Sequence, residues 1–187
     1  MATATQQKPV YATRHGRLDA AVWENQGEKS TFFNVSLKKS YKDKDSEEWK
    51  STQASFGHDD TLGAARLLGW ADDVVQKAVQ QQEPFHGDKK PLASKKRGML
   101  EVAVWQKETD KLRYRVSLKR SYKDGDDWKS VVIWLLANDC LAAARVLTRA
   151  FDAIDSHVAA SSSSSFAEAA KDTFDAEVVS PDEDIPF

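Results

Sequence analysis

The sequence predicts an α+β fold built as a tandem duplication, each copy a unit of three to four antiparallel strands followed by one helix, with a disordered acidic tail. An internal repeat carries this expectation first. Gly16-Arg17-Leu18 through Ala21-Val22-Trp23 returns as Gly98-Met99-Leu100 through Ala103-Val104-Trp105. Val35-Ser36-Leu37-Lys38 and Ser40-Tyr41-Lys42-Asp43 return as Val116-Ser117-Leu118-Lys119 and Ser121-Tyr122-Lys123-Asp124. Trp49-Lys50-Ser51 returns as Trp128-Lys129-Ser130, and Ala64-Ala65-Arg66 as Ala143-Ala144-Arg145. The second observation is a change of period inside each copy, from alternation to helical spacing. Third, 41% hydrophobic and 30% charged residues in 187 suit a folded chain.

In chain order, residues 1–13 read as a flexible arm and 14–80 as the first repeat. Arg17 to Glu24 alternates as a strand and Gly27 marks its turn. Thr31 to Lys42 is a longer strand, closed by Asp43-Lys44-Asp45, where copy two has the hairpin signal Asp124-Gly125-Asp126. Trp49 to Phe56 and Trp128 to Leu136 form the next stretch of strand. Leu62, Ala65, Leu68, Val75 and Val79 then recur at helical spacing, as do Leu141, Ala144, Leu147, Phe151, Ile154 and Val158. Asp59 or Asp60 and Asn138 or Asp139 are the expected N-caps. Residues 81–95, with Pro84, Gly87 and Pro91, read as a linker, and 96–158 as the second repeat. Residues 159–187, opening on the run Ser161 to Ser165, read as a tether. That tail holds a charge of −6, which leaves +4 on residues 1–158. A basic body with an acidic tail is a pattern of nucleic-acid binders.

Several function classes are disfavoured. No apolar run reaches the roughly 18 residues of a membrane span, so no membrane partner is expected. Met1 to Lys8 lacks the apolar stretch of a secretory signal, and the expected location is cytoplasmic, associated with the nucleoid. A single cysteine, Cys140, excludes an internal disulfide. His15, His58, His86 and His157 share no metal spacing, and the Asp43, Asp45, Glu47 cluster lacks the glycine of a calcium loop. With no phosphate-binding glycine loop and no nucleophile–base arrangement, neither an enzyme nor a cofactor is expected.

Strand alternation sorts the remaining side chains. Leu18, Ala20, Val22, Phe33, Val35 and Leu37 face a core, as do Leu100, Val102, Val104, Leu112, Tyr114, Val116, Leu118, Val131, Ile133 and Leu135. The helix of each copy covers that face. On the other face Trp23, Phe32, Lys38 and Trp49 come together in copy one. Trp105, Arg113, Arg115, Lys119, Trp128 and Trp134 do so in copy two. Lys42, Lys50 and Lys123 lie at the rim, with Arg14, Arg17, Lys96, Arg97 and Lys129 as weaker candidates. Indoles among cations suit single-stranded nucleic acid, because rings stack on unpaired bases while cations neutralise phosphates. The alternative is that these tryptophans fill a second core or contact protein, as in a transcription-modulating adaptor; an RNA-binding role would use the same face.

The opening glycine, the alternating strands, the Ser40-Tyr41-Lys42-Asp43 turn and the closing helix resemble the positive-cofactor-four and Whirly group. The matched portions are Gly16 to Gln80 and Gly98 to Val158. The resemblance implies single-stranded DNA binding on the curved, helix-free faces of paired units, here two copies paired within one chain. The lysine-glycine-lysine motif of Whirly proteins is missing. Asp182-Glu183-Asp184-Ile185-Pro186-Phe187 is similar to the acidic tip of bacterial single-stranded DNA-binding proteins. That similarity implies docking of DNA-processing proteins of replication, recombination and repair, by an apolar end steered with acids. A further homo-oligomer is compatible with such a chain.

Overall fold

Gly16 and Gly98 hold φ of +60° and +57°, a region glycine enters without steric cost. Each occupies the first position of a two-residue turn, between His15 and Leu18 in one copy and between Arg97 and Leu100 in the other. The repeated glycine therefore joins two strands. In the computed structural model, which describes residues 8–28, 30–43, 46–108 and 112–174, the strands before these turns are β1 (Tyr11–His15) and β5 (Ala93–Arg97). They extend into the expected arm and linker, which corrects both boundaries. Tyr11 and Leu92 pack partly against the core, while Ser94, Lys95, Lys96 and Arg97 are exposed. A lysine-rich strand at a sheet edge reads as a solvated charge run, and lysine there also blocks pairing with other chains.

The first sheet continues with β2 (Leu18–Gln26), β3 (Thr31–Lys42) and β4 (Trp49–Gly57), antiparallel in the order β1-β2-β3-β4. Helix α1 (His58–Gln80) follows. The second sheet adds β6 (Leu100–Glu108), β7 (Leu112–Asp124) and β8 (Asp127–Leu136) to β5 in the same order. A 3-10 turn, Ala137–Asp139, then leads into α2 (Cys140–Phe174). Two antiparallel four-stranded sheets, each followed by a helix, are the architecture a tandem duplication produces.

Helix starts differ from the expectation. Gly57 is the N-cap residue of α1, and Asp59 and Asp60 lie in the first turn, where their charge opposes the positive end of the helix dipole. In copy two the Asp139 carboxylate accepts the Leu136 N–H at 3.1 Å and so caps the 3-10 turn. Helix α2 does not give way to a tether at 159. Ala159 and Ala160 favour helix, and the Ser161 hydroxyl donates to the His157 carbonyl at 2.9 Å. The chain divides into two units, 1–154 and 155–187. Residues 175–187, with the acidic tip Asp182 to Phe187, lie outside the described residues.

The alternation predicted for each sheet holds. Leu18, Ala20, Val22, Val35 and Leu37 are buried with Leu100, Val102, Val104, Val116, Leu118, Ile133 and Leu135 in one continuous core. The helix assignment changes, because α1 packs most extensively on β6 of the other copy and less on its own β3 and β4. Gly63 permits this approach, since a Cβ there would meet Leu100 Cδ1 and Arg97 Nε at 3.3 Å. Two ion pairs repeat across the junction. Lys39 Nζ of β3 lies 2.6 Å from Asp139, and Arg120 Nε of β7 lies 2.7 Å from Asp60. Lys39 aligns with Arg120 and Asp60 with Asp139, so the two copies are related to each other by a pseudo-two-fold exchange.

Candidate nucleic-acid interface

The face opposite the core is built from cross-strand rows. In the first sheet one row runs Arg14, Asp19, Lys38, Gln53, and the next Ala12, Ala21, Ser36, Ser55. Trp23 pairs with Asn34, Asn25 with Phe32, and Trp49 with Lys42. In the second sheet the rows run Lys96, Glu101, Lys119, Val132 and Ser94, Ala103, Ser117, Trp134. Trp105, Arg115 and Leu136 form a third, Lys107 pairs with Arg113, and Lys123 with Trp128. Trp23 and Trp49 thus mark opposite ends of one face, as Trp105 and Trp128 do of the other. Eight residues of β3 or β7 separate their rows, about 26 Å at ~3.3 Å per residue.

Two classes of indole result. Trp23 Nε1–H donates to Ser36 Oγ, and Trp105 Nε1–H to Ser117 Oγ, both at 3.0 Å. The serines are buried, and their hydroxyls fix each half-buried ring by its polar edge. Such a ring is held ready at little further entropic cost. Trp49, Trp128 and Trp134 are instead 65%, 63% and 47% exposed, and Phe32 is also exposed. Trp134 lies on the outer face beside Trp105, their rings 6.0 Å apart and tilted by 50°. Trp70, outside this face, packs partly against the core with Lys95 of the other copy 5.5 Å from its ring.

The cations also divide. Lys38, Arg113, Arg115 and Lys119 make no ion pair among the described residues, which leaves their charge available. The hairpin-end lysines are engaged: Lys50 with Asp43 at 2.7 Å, Lys42 with Glu47 at 3.7 Å, Lys123 with Asp126 at 4.0 Å, and Lys129 with Asp124. The hydrogen bond and charge of Asp43 raise the Lys50 ammonium above its ordinary range. Lys50 pairs with Tyr41, on the other side of β4 from Trp49, so this rim candidate lies off the face that carries the indoles. Arg14 and Lys96 are paired to Asp19 and Glu101.

Three concavities adjoin the faces. One of 390 Å³ lies on the second sheet among Trp105, Trp134, Lys119, Val132 and Pro91. A second, of 520 Å³, joins the copies and is lined by Arg17, Tyr41 and Thr52 from the first and Arg115, Trp134 and Leu136 from the second. The third, of 470 Å³, overlaps the pseudo-two-fold equivalent of the second at Asn34, Gly57 and Arg120, and is lined in addition by Phe32, His58, Asp59 and Asp60. Tyr41 and Leu136 were missed in the sequence. The alternation that selects Trp134 also selects Leu136, but a leucine suggests no ligand on its own. Tyr41 becomes visible only once the copies are juxtaposed.

The Cys140 thiol is pushed up to about 12, by burial first and then by the charges of Asp72 and Asp139, so it remains protonated and unreactive near neutrality. Among the described residues no cluster of His, Cys, Asp or Glu forms a metal site, and no helix is long and apolar enough to cross a membrane. The sequence matches no protein-family model, and comparison with curated proteins finds no significant match.

Proposed function

We propose that this chain binds single-stranded DNA, largely without sequence preference, on the two sheet faces that point away from the shared core. One observation carries the reading: exposed or edge-pinned indoles share those faces with cations that make no ion pair among the described residues. Trp23, Trp49, Trp105, Trp128 and Trp134 supply stacking surfaces, each worth about 1–3 kcal/mol per base. Lys38, Arg113, Arg115 and Lys119 hold phosphates. Duplex DNA suits the faces less, because paired bases hide their rings. This use of paired, helix-free faces is the one that resemblance to the positive-cofactor-four and Whirly group implies. On the separate resemblance of its sequence, Asp182 to Phe187 is proposed to dock DNA-processing proteins.

Tryptophan fluorescence provides the test. Oligothymidylate should quench the emission of the full-length chain, with an affinity that falls as salt rises, while duplex of equal length has little effect. An emission unchanged by oligothymidylate at low salt would sink the reading and favour a protein-contacting adaptor. Preferential quenching by oligouridylate would redirect it to RNA.

A further inference from the structure

Pseudo-two-fold symmetry offers a bound strand two equivalent passages between the sheet faces, one on each side of the junction. Their chemistry has diverged. In the passage of 520 Å³, Arg115 and Leu136 stand where the opposite passage has Asn34 and Gly57, and Trp134 lines it where the aligned Ser55 does not line the opposite one. Arg17 stands where the other copy has Met99. The first passage therefore presents two guanidinium groups, an indole and a phenol. Each passage also carries one cation committed to a carboxylate, Lys39 to Asp139 at the first and Arg120 to Asp60 at the opposite one, so the difference there is Asp59 and the lack of a second guanidinium. A polyanion is attracted to one and repelled by the other.

The first passage is also continuous at both ends. Trp134 lines it and the neighbouring concavity on the second sheet, where it meets Trp105. At the other end the Arg17 guanidinium lies 5.7 Å from the Trp49 ring, on the face of the first sheet. We propose that single-stranded DNA crosses from the second sheet face to the first through the passage between Trp134, Arg115, Tyr41 and Arg17, and that the opposite passage stays empty. This rests on the single-stranded DNA reading and adds a route to it: the strand follows one asymmetric path, with Tyr41 as an extra stacking surface at the crossing.

Photo-crosslinking of the full-length chain to an oligothymidylate carrying 5-iodouracil, mapped by mass spectrometry, tests the route. Adducts should form at Tyr41 and Trp134 and be absent at His58, which lines the opposite passage. In parallel, Arg17→Gln should weaken binding severalfold and reduce the salt slope by about 1, whereas Asp59→Asn leaves both unchanged. Both residues are exposed, one in a turn and one in a first helical turn, so neither change threatens the fold. If oligothymidylate quenches the tryptophans but crosslinks at His58, or if Arg17→Gln binds like the parent, the route is wrong and the binding faces survive. Without quenching in the parent chain, route and faces fall together.

Discussion

The two sheets share a skeleton and differ in surface. Repeated in both copies are the indole pinned by a serine, the edge-strand cation paired to β2 or β6, the hairpin lysine paired to its aspartate, and the ion pair across the junction. Different are Phe32 against Arg113, Asn34 against Arg115, Gln53 against Val132, and Ser55 against Trp134. The repeated contacts orient strands and join copies in both halves alike. The divergent positions point outward, where a change leaves packing intact. Buried positions differ too, as Ala54 against Ile133 and Phe56 against Leu135, but only the outer differences are ones a ligand would sense.

Core substitution gives the largest effect by which to break this comparison. Leu37→Ala and Leu118→Ala, at aligned and fully buried positions, should each cost about 2–5 kcal/mol. Because the core is continuous, urea should unfold each variant in one transition; two separate transitions would mean independent halves. Next come the junction pairs. Asp139→Asn strands Lys39, whose side chain is 10% exposed, and should cost about 2 kcal/mol. Asp60→Asn strands Arg120, at 26%, and should cost about 1 kcal/mol. Equal losses would show that burial does not rank the two pairs.

Exchange of the divergent pair sharpens the surface half. Trp134→Ser gives copy two the residue of copy one and should weaken oligothymidylate binding about tenfold; Ser55→Trp should strengthen it. Removal of one indole hydrogen bond is smaller still. Ser36→Ala and Ser117→Ala should each cost about 1 kcal/mol in denaturant unfolding, and unequal costs would show that the pins are not equivalent. The smallest effect at neutral pH belongs to Cys140. Its folded value lies above the ordinary 9.0, so its contribution is fully present below that pH and is lost as pH rises towards about 12. Cys140→Ala should flatten that alkaline decline, and alkylation of the parent by iodoacetamide should be slow until it unfolds.

Alternation and repetition made much of the fold legible. Leu100, Val102 and Val104 could be assigned to the core because their intervening residues, Glu101 and Ala103, suit another surface. The edge strands were hidden because β5 carries lysines and β1 follows a polar start, and neither sheet edge needs a full apolar stripe. The length of α2 was hidden by its run of serines, which in sequence read as a polar tether; the Ser161 hydroxyl donates instead to the His157 carbonyl one turn back. On the candidate site the indoles and free cations were visible one by one. What single-copy reading lacks is the junction: that α1 lies on β6, and that Tyr41 faces Trp134 across a groove, are facts of two copies meeting.

Helix α1 resting on the opposite copy has a consequence for how such a chain could be divided. Cleavage of the backbone between residues 87 and 90, where no strand or helix is interrupted, should leave two polypeptides that stay associated. Neither piece would bury its apolar surfaces unaided. A second repeat on its own would leave β6 without the helix that covers it, so the halves are held together by their core even where their outer faces specialise.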